Sequence, residues 1–331
     1  MKTFLRIVLF LFCILLAAAG WGYYKYKDIL QPVDGSGNGK AKVVEIVSGD
    51  TAFSIGEKLE HEGLIRSALA FRLLVRYTEK GDALQAGYYR ISSADTPQEI
   101  LDKITSGQVL TRKITFPEGL LIHQMAAVID KNKLCDSAEF IELASKHGKK
   151  YGDFPDNLLG YLLPDTYEVP WVCSADELLR IVTGRFNELA RPEVDGTSPL
   201  GLSQTIVLAS LIEREAQVAG ERPVIAGVFI NRLKIGMLLQ CDATIQFALG
   251  KQKEYLLYSD LDIDSPYNTY KHAGLPPGPI CNPGLAAIKA AAHPQKNKYL
   301  FYVRNDIKND GSHVFTCSES EHIRAVNKYL R

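Results

Sequence analysis

Two glutamates one residue apart, Glu213 and Glu215, stand near the end of the run QTIVLASLIEREAQVAG at 204–220. Its apolar spacing predicts a helix with Ser203 as N-cap and Gly220 closing it. At 3.6 residues per turn, Ser203, Ser210, Arg214, Gln217 and Glu221 form a polar face, with Glu213 and Glu215 about 100° to either side of it. Glu213 shares its flank with Ile206, Ala209, Ala216 and Gly220, and Glu215 shares its own with Leu208, Leu211, Ile212 and Ala219. A carboxyl part-buried on either flank has a raised pKa and can carry a proton near neutral pH, as a general acid must. Periodicity leaves the two glutamates even, and a solvated helix residue without chemistry is the alternative for both.

Other catalytic constellations are missing. No Cys-x-x-Cys, no His-Glu-x-x-His and no Cys/His cluster at zinc spacing occurs, so the seven histidines, His313 and His322 among them, read as structural. Gly39-Lys40 has neither the earlier glycine nor the following hydroxyl of a phosphate loop. With 38 basic and 38 acidic residues there is no surplus charge to argue for nucleic acid. The 331 residues, 46% hydrophobic and 23% charged, are ordinary globular usage, enough for about two domains of roughly 150 residues.

The elements that position these groups follow an apolar N-terminus. Residues 7–24 carry no charge, are flanked by Lys2, Arg6, Lys25 and Lys27, and end in Trp21, Tyr23 and Tyr24. At 1.5 Å per residue they span about 27 Å, which reads as a membrane anchor, with a signal peptide cleaved near Ala17-Ala18-Ala19 as the alternative; the resemblance to a signal-anchor implies 1–6 as a cytoplasmic tail. Residues 25–41, rich in Gly, Ser and Asn toward their end, read as a flexible linker. Over 42–110 the pattern predicts a strand at 43–47, a helix capped by Asp50 or Thr51, a helix at 68–77, a strand at 87–91 and a helix at 96–105. Gly49-Asp50-Thr51 with Ile55 and Leu59 resembles the glycan-binding LysM domain, and a spacer of the same shape without sugar affinity is the alternative. Beyond Cys13, five cysteines (Cys135, Cys173, Cys241, Cys281 and Cys317) cannot all pair with one another.

The glutamates keep further company. LASLIEREA (208–216), ERPVIAGVFINRL (221–233), IGMLLQCDATI (235–245), SPYNTY (265–270), GLPPGPICNPG (274–284) and GSHVF (311–315), preceded by LPDTY (163–167), stand in the order of the YceG-like endolytic murein transglycosylases. The chain resembles that family from its N-terminal anchor to its C-terminus. The resemblance implies an α+β chain: a single transmembrane helix, the small LysM-like module, and a mixed α/β catalytic domain over 111–331. It gives Glu213 the place of the catalytic acid. One carboxylic acid suffices for a lytic transglycosylase, because the same group protonates the leaving oxygen and then takes the proton of the muramoyl C6 hydroxyl that attacks C1. Asn231, Gln240, Asp242 and Thr244 are expected to bond sugar hydroxyls and acetamides, and Tyr267, Asn268 and Tyr270 to position a pyranose; the alternatives are that Asn231 caps a turn, Asp242 begins a helix and the tyrosines are core. The rigid segment at 274–279 is expected as a cleft wall.

The resemblance further implies no metal or cofactor, and peptidoglycan glycan strands as substrate. It places the chain as a single pass in the inner membrane with its catalytic domain in the periplasm, where cutting nascent strands would make it a terminase of glycan elongation beside penicillin-binding-type synthases. A non-catalytic peptidoglycan-binding scaffold and a water-using muramidase are the rival readings. Two details depart from or extend the pattern. Leu159 stands where the family often has a glutamate before Gly-Tyr, and Cys241 and Cys281, each inside a matched motif, suggest a bridge.

Overall fold

The computed structural model describes residues 2–194, 196, 198–253 and 255–330, without the side chains of 2–9, 18 and 19. The chain divides into two compact units, Met1–Arg112 with Pro170–Val172, and Lys113–Val169 with Cys173–Arg331.

The first unit begins with the long helix α1 (Lys2–Ile29). Phe10, Leu11, Phe12, Leu15 and Trp21 on it are exposed. Among the described residues no helix is long and apolar enough to cross a membrane, and the side chains of 7–9, 18 and 19 of the expected anchor at 7–24 lie outside the description. Then follow β1 (Ala41–Ile46), α2 (Ala52–His61), α3 (Ala68–Tyr77), β2 (Gly87–Ser92) and α4 (Pro97–Thr105). The strands pair antiparallel, with Ala41 opposite Ser92 and Ile46 opposite Gly87. Strand alternation turns Val44, Ile46, Tyr89 and Ile91 inward onto Ile55, Leu59, Phe71 and Ile100. Thr51 and Thr96 close capping boxes with Ser54 and Glu99, which satisfies the free N–H groups at the starts of α2 and α4.

The segment read as a flexible linker is instead fastened down. The Asp34 N–H donates to Ser93 O at 2.9 Å, the Ser92 hydroxyl to Gly39 O at 3.1 Å, and Arg66 Nη2 to Pro32 O at 2.7 Å. Gly39 also packs closely, since a Cβ there would meet Ala94 N at 2.4 Å, whereas Gly35 and Gly37 face open space.

Strand β3 (Thr111–Thr115), with which the second unit begins, pairs with a later strand, β4 (Thr166–Pro170), and the helices α5 (Ile122–Asn132) and α6 (Ser137–Lys146) lie between them in the chain. Next, α7 (Ala175–Arg185) continues through a π-helical turn at Phe186–Ala190 into α8 (Arg191–Val194). The central helix α9 (Leu202–Glu215) buries Ile206, Leu208, Ala209, Leu211 and Ile212 completely. It is packed by α10 (Arg222–Lys234), α11 (Asp242–Leu249) and α12 (Leu285–Ala292). Strands β5 (Phe301–Arg304) and β6 (His313–Thr316) form an antiparallel hairpin against α13 (Glu319–Tyr329).

Helix α9 corrects the expectation at both ends. Gly201, not Ser203, is its N-cap, and it stops at Glu215, with Ala216 already extended at ψ 108°. A short 3-10 turn at Ala219–Glu221 leads directly into α10, where Pro223 in the first turn cannot continue an earlier helix. The expected polar face is solvated at Ser203, Arg214 and Gln217 but not at Ser210. Ser210 is fully buried, its hydroxyl bonding Val207 O at 2.7 Å and accepting the Ile280 N–H at 3.0 Å.

A single buried amide gathers three loops above this helix. Asn282 exchanges main-chain bonds with the segment around Gly119, accepting its N–H and donating to Leu120 O, both at 2.9 Å. Its side-chain oxygen accepts the Gly160 N–H at 2.7 Å, and its nitrogen donates to Leu120 O at 3.0 Å. Gly160 has φ +91°, and a Cβ there would meet Pro279 Cγ at 2.5 Å, so the loop tolerates no side chain. Replacing Asn282→Ala strands the buried Gly160 N–H, and the expected cost is about 3 kcal/mol. Urea unfolding should show a lower midpoint at unchanged slope.

Candidate active site

Four residues from four parts of the second unit meet at the end of α9. Glu213 lies in its last turn, with only 8% of its side chain exposed. Its Oε2 accepts the Gly284 N–H at 2.9 Å, from the N-cap of α12. Arg222, at the start of α10, places Nη2 3.9 Å from Glu213 Oε1 and 3.8 Å from Glu118 Oε2. One guanidinium thus serves two carboxylates, while its Nε is buried without a hydrogen-bond partner among the described residues. Glu118 is held on the Pro117-Glu118-Gly119 turn that Asn282 fixes, and it is half exposed. A Cβ on Gly284 would collide with Glu118 Oε1 at 2.0 Å, so glycine leaves room for that carboxylate.

Burial pushes the Glu213 carboxyl above the ordinary glutamate range, opposed by the Gly284 N–H, and the nearby Glu118 charge pushes it further up. Arg222 and Arg214 pull it down less strongly. The outcome is an acid that holds its proton more tightly than a free glutamate, beside donors that stabilise the anion once the proton has left.

Glu215 is arranged differently. Its Oε1 accepts from the Cys241 thiol at 3.0 Å and its Oε2 from the Tyr302 hydroxyl at 3.0 Å. Burial raises its pKa as well, yet both oxygens are committed to internal donors. The bridge suggested between Cys241 and Cys281 is absent: Cys241 faces Glu215, while Cys281 Sγ lies 3.5 Å from Ser210 O.

The expected groove residues separate into two groups. Asn231 donates to Asn297 O and Tyr299 O, buried Thr244 bonds Cys241 O and shares a hydrogen bond with Thr269, and buried Asn268 donates to Leu261 O and Ile263 O. These three side chains spend their polar atoms on the fold. Gln240 (φ 50°) and Asp242 are exposed, and Asp242 accepts a hydrogen bond from Tyr270. Tyr267 packs on Phe247 with ring centroids 4.7 Å apart. His313 is bound to Glu221 at 2.7 Å and His322 stacks on Phe301. Sequence reasoning missed Glu118, Arg222, Asn282 and Gly284 as members of the site. The available signal was glycine beside a polar residue in two turns, Glu118-Gly119 and Asn282-Pro283-Gly284.

The YceG-like family model matches residues 44–328. The endolytic murein transglycosylase of Bacillus subtilis is 35% identical to this chain over 338 residues, covering 94% of it and 91% of the relative. The endolytic murein transglycosylase of Streptococcus pneumoniae D39 is 28% identical over 355 residues, and the match spans 96% of this chain but 64% of that longer protein. A crystal structure of a yceG-like protein from Listeria monocytogenes aligns with TM-score 0.57 at 31% identity, covering 87% of this chain and 99% of that one.

A carboxyl whose folded-state pKa exceeds its unfolded one binds more protons in the folded state, so stability falls as pH climbs from the ordinary glutamate range through the raised value. Glu213→Gln removes that penalty and keeps an acceptor for Gly284. The variant should be more stable than the parent at pH 8, with the difference narrowing toward pH 4 in urea titrations at each pH.

Proposed function

From the premise that this chain belongs to the YceG-like family, we propose that it is an extracytoplasmic peptidoglycan lytic transglycosylase that uses Glu213 as its single acid-base group. The observation that carries the reading is the buried Glu213 carboxyl, with one oxygen held by the Gly284 N–H and the other turned toward Arg222 and Glu118. The proposed substrate bond is the β-1,4 link from N-acetylmuramic acid to N-acetylglucosamine inside nascent strands.

The steps follow from the environment. Protonated Glu213 gives its proton to the glycosidic oxygen as the C1–O bond breaks, and positive charge develops at muramoyl C1 and its ring oxygen. The carboxylate formed is stabilised by the Gly284 N–H and by the Arg222 charge. It then takes the proton of the C6 hydroxyl, whose oxygen closes on C1 to give the 1,6-anhydro end. Glu213 finishes protonated, ready for another cycle. Gln240, Asp242, Tyr267 and Tyr270 serve in this reading as groove contacts, and Asn231, Thr244 and Asn268 support the groove from behind.

The remaining assignments are proposals of the same standing. Helix α1, with its exposed apolar residues and flanking lysines, anchors the chain as a single pass in the inner membrane, the catalytic unit lying in the periplasm. The β-α-α-β order of the first unit supports a LysM-like module for glycan. A membrane-held endolytic enzyme would terminate elongating strands, beside synthases of the penicillin-binding type. A water-using muramidase is the second reading, favoured by one feature: Glu118 is a second carboxylate beside Glu213.

Full-length protein in detergent micelles, incubated with polymeric peptidoglycan, should yield anhydro-muramoyl ends by mass spectrometry. Glu213→Gln should lower the rate by about 10²–10⁴-fold. Reducing ends would replace this reading with the muramidase, and glycan binding without cleavage would replace it with the scaffold.

A further inference from the structure

A cavity of about 130 Å³ opens beside Glu213, with Gly119, His123, Arg214, Gln246, Phe247 and Lys251 in its lining. A Cβ on Gly119 would lie 3.8 Å from Arg214 Nη1 and 3.9 Å from Glu213 Cγ, so the cavity and the acid share a wall. None of the lining residues is acidic, while Arg214 and Lys251 contribute positive charge. Gln246 lines the cavity, and its Oε1 is buried with no hydrogen-bond partner among the described residues, an acceptor that an N–H donor would satisfy once the amide turns toward the cavity. Asp242 lies one turn before Gln246 on α11, which joins the cavity to the exposed part of the groove. The volume is well under the roughly 300–1,000 Å³ of sites that enclose a whole small molecule, and suits a substituent.

We propose that this cavity receives the carboxylate-bearing stem peptide of muramic acid, so that the enzyme prefers to cut beside peptide-substituted muramoyl residues. The proposal rests on the murein reading above. In that reading Glu213 acts at muramoyl C1, and the peptide leaves C3 of the same ring through its lactyl ether. The substituent therefore emerges within one pyranose width of the acid, where the cavity lies. The peptide supplies both features the lining asks for: ionised carboxylates for Arg214 and Lys251, and amide N–H donors for Gln246. Strands stripped by an amidase also carry an anion, but it is the short lactyl carboxylate, with no amide donor attached.

Full-length protein in detergent should be assayed on uncrosslinked strands with and without their peptides. Its kcat/KM should favour the peptide-bearing strands at least about tenfold. Arg214→Gln and Lys251→Gln, both at exposed positions, should bring that ratio toward one. In parallel, Glu213→Gln protein should bind a muramoyl dipeptide with free carboxylates more tightly than N-acetylmuramic acid in calorimetry, and the added Arg214→Gln or Lys251→Gln change should abolish the difference. Equal cleavage of both strands by the parent overturns the proposal, as does a peptide preference that survives both variants. A preference for stripped strands that the variants erase would assign the cavity to the lactyl carboxylate and overturn the peptide. If neither strand is cut and neither probe binds, the murein reading falls, and the proposal with it.

Discussion

The carboxamide of Asn282 is the constraint on which the site depends. It is fully buried, and its main chain and side chain together hold the Gly119 turn, Leu120 and the Gly160 loop. Two residues further on, the same segment delivers the Gly284 N–H to Glu213. A buried amide leaves little tolerance, since each of its donors and acceptors either finds a partner or costs the fold the price of a stranded polar group. Glu118 and Gly284 therefore reach Glu213 as consequences of one hydrogen-bonded hub, rather than through independent placements.

Glu213 and Glu215 show how neighbouring side chains of one type acquire different chemistry. Both are raised by burial, so desolvation does not distinguish them. Their partners do. Glu215 closes on a thiol and a phenol and ties the end of α9 to the segments bearing Cys241 and Tyr302. Glu213 has one backbone donor, a distant guanidinium and a second carboxylate. Only the second arrangement leaves an oxygen available to an incoming molecule.

The sequence was most legible where structure is local. Thr51 and Thr96 announce their helices through hydroxyls placed three residues before Ser54 and Glu99, and the helix at 68–77 follows from its own apolar spacing. Legibility failed where distant segments decide. Apolar periodicity continues past Glu215, but Pro223 and the buried Glu215 pair end the helix there. Short polar side chains such as Asn231, Thr244 and Asn268 have the same composition whether they face a sugar or a carbonyl; here they face carbonyls. Glu118 and Arg222 come together across more than a hundred positions of chain, a proximity that no local pattern encodes. The family motifs singled out Glu213 without encoding the long-range packing that buries it.

The last turn of α9 and the first residue before α12 meet at a single carboxyl, and the two helix ends have opposite electrical sense. Exposed carbonyls at the end of α9 disfavour an anion on Glu213, while the free N–H groups opening α12 favour one. The proton affinity of Glu213 thus works as a gauge of how closely the two helices are docked. Anything that draws α12 away, even slightly, strengthens the acid's hold on its proton and weakens its conjugate base's welcome. The proton affinity of this carboxyl is in this way written into helix packing, at a point where small displacements have an immediate electrostatic reading.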